Sequence, residues 1–125
     1  MGKKILLIDD EDLVIKSVLK LLTKEGYEVF ACHSGREGVE ISQKEAVDLI
    51  ICDIRMPQQD GVETLKQIRE ARRKKRLKSV PELLMTGYAD EVANRNAEDL
   101  KVAEYIYKPF DLRDFLNAVK KHTQD

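Results

Sequence analysis

Five short apolar runs, each three or four residues long and rich in β-branched side chains, recur along this chain at intervals wide enough to hold a helix. They are Ile5-Leu6-Leu7-Ile8, Val29-Phe30-Ala31-Cys32, Leu49-Ile50-Ile51-Cys52, Leu83-Leu84-Met85 and Tyr105-Ile106-Tyr107. None alternates apolar with polar residues, as a strand with one wet face would. Continuous apolar runs of this length suit parallel strands covered on both faces.

The stretches between the runs have a helical period. Leu13, Val14, Ser17, Val18 and Leu21 recur at spacings of three and four, as do Val62, Leu65 and Ile68, and then Leu112, Phe115, Leu116 and Val119. Each set marks one apolar helix face. Gly26 closes the first helix, Ser34-Gly35 opens the second, Asp60-Gly61 precedes the third, and Asp111 stands at the N-cap of the last. Five strands and five helices are therefore expected in strict alternation. This pattern predicts an α/β domain with right-handed crossovers and a parallel sheet between two helical layers.

The chain has 125 residues, within the prior of about 150 for a single domain. Residues 1–125 are accordingly expected to form one domain, with no separate output domain. Apolar residues make up 42% and charged residues 36%, which excludes disorder over most of the length. The 22 basic and 23 acidic groups leave a net charge of -1, too little for a global field that draws in nucleic acid or anionic membrane. Any phosphate chemistry has to be local. No apolar run approaches the ~18 residues of a membrane span and no signal peptide opens the chain, so a cytoplasmic protein is expected. Cys32 and Cys52 read as small core thiols, too far apart to bridge if their strands flank the first.

In open parallel sheets ligands bind where the strands end. Strand one ends in Asp9-Asp10-Glu11, strand three in Asp53, strand four in Thr86-Gly87-Tyr88 and strand five in Lys108-Pro109-Phe110. One rim thus receives at least three carboxylates, a hydroxyl and an ammonium. Carboxylates so crowded raise one another's pKa or share a cation, and an all-oxygen site suits Mg²⁺, with Mn²⁺ also acceptable, better than zinc. A carboxylate beside such a cation can act as a nucleophile toward phosphorus, with Lys108 and Thr86 holding the phosphoryl oxygens.

Asp9-Asp10, Asp53 followed by Met56-Pro57, Thr86, Tyr105 and Lys108-Pro109-Phe110, in this order and at these strand ends, resemble the receiver domain of two-component response regulators. The resemblance runs from Ile5 to about Lys121. It implies a flavodoxin-like five-stranded sheet in the order 2-1-3-4-5, helices on both faces, and a cis bond between Lys108 and Pro109. By the same likeness Asp53 is the phosphoacceptor, and Asp9, Asp10, Asp53 and the backbone carbonyl of Arg55 hold Mg²⁺. Thr86 and Lys108 bind the phosphoryl group, while Thr86 and Tyr105 form the switch. Arg55 and Tyr88 occupy positions that tune the lifetime of the phosphorylated state. A sensor histidine kinase or histidine phosphotransfer protein is implied as donor, and a downstream protein or attached effector as target. A phosphorylation-linked dimer is compatible with the family, while membrane association and direct nucleic-acid binding are not expected.

Two features depart from the family pattern. Arg69 to Lys78 holds seven basic residues and one acid, expected as a solvated extension of the third helix or a solvated loop or, alternatively, as a docking patch for an acidic partner or nucleic acid. Before strand five, Lys101-Val102 replaces the usual Gly-Ala, which suggests a different exit from the fourth helix because a lysine disfavours a left-handed cap. Neither His33 nor His122 has a second ligand at metal-binding spacing, so both are expected in surface or structural roles. Two rival functions remain. An aspartyl phosphatase or phosphomutase is disfavoured because the position two residues after Asp53 holds Arg55 where those enzymes carry a second aspartate. The complete acidic pocket argues against a receiver-like interaction domain that is never phosphorylated.

Overall fold

The computed structural model describes residues 2–87, 95 and 97–124. In chain order these form β1 (Lys4–Ile8), α1 (Asp12–Lys24), β2 (Glu28–Cys32), α2 (Gly35–Lys44), β3 (Leu49–Asp53), α3 (Gly61–Lys74), β4 (Glu82–Gly87), β5 (Glu104–Lys108) and α4 (Leu112–Thr123). All five strands are parallel, in the order β2-β1-β3-β4-β5. The helix expected between β4 and β5 falls largely outside the described residues, where Arg95, Ala97 and Glu98 are helical.

The continuous apolar runs are divided by the pleat, which sends successive side chains to opposite faces. Leu6, Ile8, Ile50, Cys52 and Leu84 pack with Leu65 and Ile68 of α3 on one face. Ile5, Leu7, Leu49, Ile51, Leu83 and Met85 pack with Val18 and Leu22 of α1 and with Phe115 and Val119 of α4 on the other. At about 25 cal/mol per Å² of apolar area removed from water, this double burial is the main stabilising term. β3, in the middle of the sheet, is buried over its whole length, Asp53 included.

Side-chain caps start three of the helices where the sequence places them. Ser34 Oγ accepts the Glu37 N–H (3.2 Å), Asp60 Oδ1 the Glu63 N–H (2.8 Å), and Asp111 Oδ1 the Arg113 N–H (2.7 Å), each worth about 1 kcal/mol. Gly61 serves the site directly. A Cβ there would lie 2.2 Å from the carbonyl oxygen of Asp53, so only glycine lets α3 begin this close to the end of β3. Cys32 and Cys52 flank Ile8 on either side of β1 and are free and buried. Burial pushes the Cys32 thiol up to about 12 and raises Cys52 as well, so both remain protonated core residues. His33 contacts Asp12 (2.8 Å) and His122 contacts Glu104 (2.9 Å), pairings that fit structural roles.

Of the two departures, only the one before β5 differs from the sequence expectation. Lys101 does not produce a new exit before β5: it adopts the left-handed conformation itself, at φ 54°, with the Leu100 N–H bonded to the Ala97 carbonyl (3.0 Å). The basic strip is the expected solvated extension of the third helix, with all its cations except Arg72 exposed. α3 continues through it to Lys74 and ends in a Schellman turn, with Arg76 N–H to Arg73 O (3.0 Å) and Leu77 N–H to Arg72 O (2.9 Å). Arg76 takes the left-handed position at φ 58°. Within the strip Arg69 pairs with Glu82, Arg73 pairs with Glu70, and Arg72 is buried. A lysine or arginine in the left-handed region costs about 1 kcal/mol more than glycine, partly offset by glycine's freer unfolded chain. Lys101→Gly and Arg76→Gly should therefore each stabilise the protein by about 0.5 kcal/mol, read as a higher urea midpoint at unchanged m-value.

Candidate functional site

Because the strands are parallel, their carboxyl ends lie along one edge, and their order decides which side chains meet. β1 delivers Asp9, fully buried, directly after Ile8. Its N–H bonds the Cys32 carbonyl (3.1 Å), and its Oδ1 accepts the N–H of Glu11 (2.9 Å). Next to it β3 delivers Asp53, 3% exposed, whose carboxylate accepts the backbone N–H of Arg55. The Ile54 N–H bonds the Met85 carbonyl (2.8 Å), which ties the end of β3 to β4. Thr86, one residue beyond the partner of Asp53 in β4, is fully buried. At the end of β5, Lys108 extends its ammonium back over the edge, and the bond to Pro109 is cis.

The ammonium of Lys108 holds the arrangement together. Its Nζ lies 3.1 Å from Asp53 Oδ2, 3.2 Å from Asp9 Oδ2 and 3.2 Å from Glu11 Oε1. Carboxylate oxygens of Asp9, Asp10 and Asp53 all fall within 4.8 Å of one another, with Asp10 on the exposed side. Three carboxylates thus contact the Lys108 ammonium, with Asp10 beside them. Burial, together with repulsion from Asp9, lifts Asp53 to about 7 against the pull of Lys108. Burial opposes the charge on Lys108, yet Asp53 and Asp9 outweigh it and hold the ammonium above the usual lysine range. This set could hold a metal ion besides the ammonium. Its donors are all oxygens, two from buried carboxylates and one open to water, which fits a hard divalent ion that keeps part of its hydration.

Asp9, Asp10, Asp53 and Lys108 therefore come together, Thr86 stands at the end of β4 with its hydroxyl 3.3 Å from the Gly87 carbonyl, and the Arg55 side chain is exposed at the rim. Tyr105 stands apart from the carboxylates: it is half-buried, and its hydroxyl donates to the Ala97 carbonyl (3.0 Å). Tyr88 lies outside the described residues. The contact of Glu11 with Lys108 is additional. Its place beside Asp9-Asp10 was the only sequence signal for it, and the reach of Lys108 across the sheet was needed to reveal it.

Residues 5–120 match the family described as the response regulator receiver domain. The chain belongs to this receiver family. It is 30% identical over 122 residues to sporulation initiation phosphotransferase F of Bacillus subtilis, covering 98% of this chain and 94% of that protein. It is 33% identical over 125 residues to the transcriptional regulatory protein CrdR of Helicobacter pylori, of which it spans 57%. Among solved structures, the chemotaxis protein CheY4 of Vibrio cholerae superposes with a TM-score of 0.84 at 27% identity, over 98% of this chain and 99% of that one. The receiver family acts in two-component signal transduction. Among the described residues no helix is long and apolar enough to cross a membrane.

The elevated Asp53 gives this receiver a specific pH signature. Its folded pKa of about 7 exceeds the unfolded value near 3.8, so the stability tied to its proton is complete below the unfolded value and is lost as pH rises through 7. From pH 5 to pH 8, wild type should lose about 2.5 kcal/mol relative to Asp53→Asn, which has no such proton. Urea unfolding of both proteins at the two pH values checks this, and saturating Mg²⁺ should abolish most of the difference.

Proposed function

We propose that Asp53 accepts a phosphoryl group from a phosphohistidine on a sensor histidine kinase or a histidine phosphotransfer protein. The supporting observation is the placement of the Asp53 carboxylate, buried at a strand end and 3.1 Å from Lys108 Nζ, with Asp9 and Asp10 beside it. One carboxylate oxygen attacks phosphorus in line, the P–N bond breaks, and its electron pair leaves with the donor imidazole. Asp53 must be deprotonated to attack. Asp9, Asp10, Asp53 and the Arg55 carbonyl are the groups that would hold Mg²⁺, which when bound neutralises charge on the phosphoryl oxygens.

Lys108 already contacts Asp53, so a short movement transfers its ammonium to a phosphoryl oxygen, and Thr86 supplies a hydroxyl from β4. Drawing Thr86 toward the phosphoryl group opens space behind it for Tyr105, which then gives up its bond to Ala97. The phosphorylated form thereby favours a rearranged face at β5 and α4 for a target protein or an attached effector. Exposed Leu13 (79%) and Leu112 (45%) border an apolar groove next to Lys108 and Pro109, which supports a protein donor that docks beside the carboxylates. Water then hydrolyses the acyl phosphate. Arg55 and Tyr88 slow this step.

Incubation with Mg²⁺ and acetyl phosphate or phosphoramidate should add about 80 Da, one phosphoryl group, to wild type and nothing to Asp53→Asn, as read by intact mass. Without a mass shift in wild type, the phosphoacceptor assignment fails. Arg55→Ala with Tyr88→Ala should shorten the acyl-phosphate half-life several-fold, and an unchanged half-life would remove the role given to these two residues.

A further inference from the structure

A second cavity, of about 720 Å³, opens toward the opposite end of the sheet, between the last turn of α3, the start of β4 and the segment leading into β5. This volume falls within the range of small-ligand sites, about 300–1,000 Å³. Along β3 it reaches Ile50, three residues and therefore about 10 Å from Asp53. Ile68, Leu77 and Leu100 supply further apolar wall.

The charges on the wall are unbalanced. Arg69 is neutralised by Glu82 and Arg73 by Glu70. Arg72 is 7% exposed and has no carboxylate partner among the described residues. Two of its donors reach carbonyl oxygens, of Ser42 (2.7 Å) and Lys78 (2.9 Å), while its buried Nε–H has no acceptor. A guanidinium stays charged under any physiological condition, and a buried cation without a counter-ion is costly. Its carbonyl bonds make it a bolt between α2, α3 and the loop before β4. A bolt alone needs neither a positive charge nor a cavity beside it. Lys101, held in its left-handed turn, adds a second cation at the rim.

We infer that this cavity binds an amphipathic monoanion, its charged head compensating Arg72 and Lys101 and its apolar body lying against Ile50, Ile68 and Leu100. A single negative charge is favoured because Arg72 already spends two donors on the Ser42 and Lys78 carbonyls, which leaves Lys101 as the cation that a head group meets at the rim. A neutral molecule would leave Arg72 uncompensated, and a cation would add to the imbalance.

Calorimetric titration of the full chain with decanoate tests the site, with decanol and decyltrimethylammonium as neutral and cationic counterparts. Decanoate should bind saturably at one per chain, and both counterparts at least tenfold more weakly. Lys101→Glu should weaken decanoate about tenfold. Lys101→Gly should weaken it several-fold although that variant is the more stable protein, which separates lost charge from lost structure. Asp53→Asn should bind as wild type does, so the outcome is independent of the phosphorylation reading. Absence of saturable decanoate binding, equal binding of decanol, or unchanged affinity in Lys101→Glu would each overturn the inference.

Discussion

Two carboxylates buried at the ends of adjacent strands, with a single ammonium between them, set the terms for the rest of this receiver. Asp9 and Asp53 cannot both be charged and buried without a cation, and Lys108 is supplied from β5, two strands beyond β3. Parallel connections make this possible because every strand must end on the same edge. Lys108 has to pass over the end of β4 to reach the pair, and Thr86 lies at that end. The residues read as nucleophile, cation and hydroxyl are neighbours through sheet order, although 99 residues separate Asp9 from Lys108.

The ammonium leaves the acidic group undercompensated. This imbalance suits a divalent cation: a site already satisfied would gain little from one, whereas the charge left unmet here is what a metal would neutralise. Burial, with the charge of Asp9 beside it, lifts Asp53 toward neutrality, so a charged Asp53 costs stability at this edge. The two apolar layers offset that loss. Gly61 carries the compromise into the backbone, since α3 can begin against the Asp53 carbonyl only where no side chain intervenes.

Most of the fold was legible because its signals are local. Ser34, Asp60 and Asp111 cap the helices they precede, Gly26 closes α1, and the apolar runs match the strands to within a residue or two. The acidic rim was also legible, since a residue that follows an apolar run in a parallel sheet has only one edge on which to emerge. Two readings near Arg72 and Lys101 went differently. Lys101 suggested a different helix exit because a lysine disfavours a left-handed cap, but a conformational penalty of about 1 kcal/mol is small beside the packing that demands the turn. Arg72 looked like one more solvated cation in a basic strip. Its burial depends on where the Ser42 and Lys78 carbonyls come to lie, and neither is local to it along the helix face.

The sequence by itself determined the alternation of elements, the caps, the two-sided burial of the strands and the set of chemical groups gathered on one rim, because each follows from residue type and short-range spacing. Only the tertiary structure decided that Lys108 bridges Asp9, Asp53 and Glu11, that Tyr105 is held by the Ala97 carbonyl, and that Arg72 is buried beside a cavity without a counter-ion. Those outcomes turn on distances between segments far apart in the chain, which are set by how the two helical layers settle on the sheet.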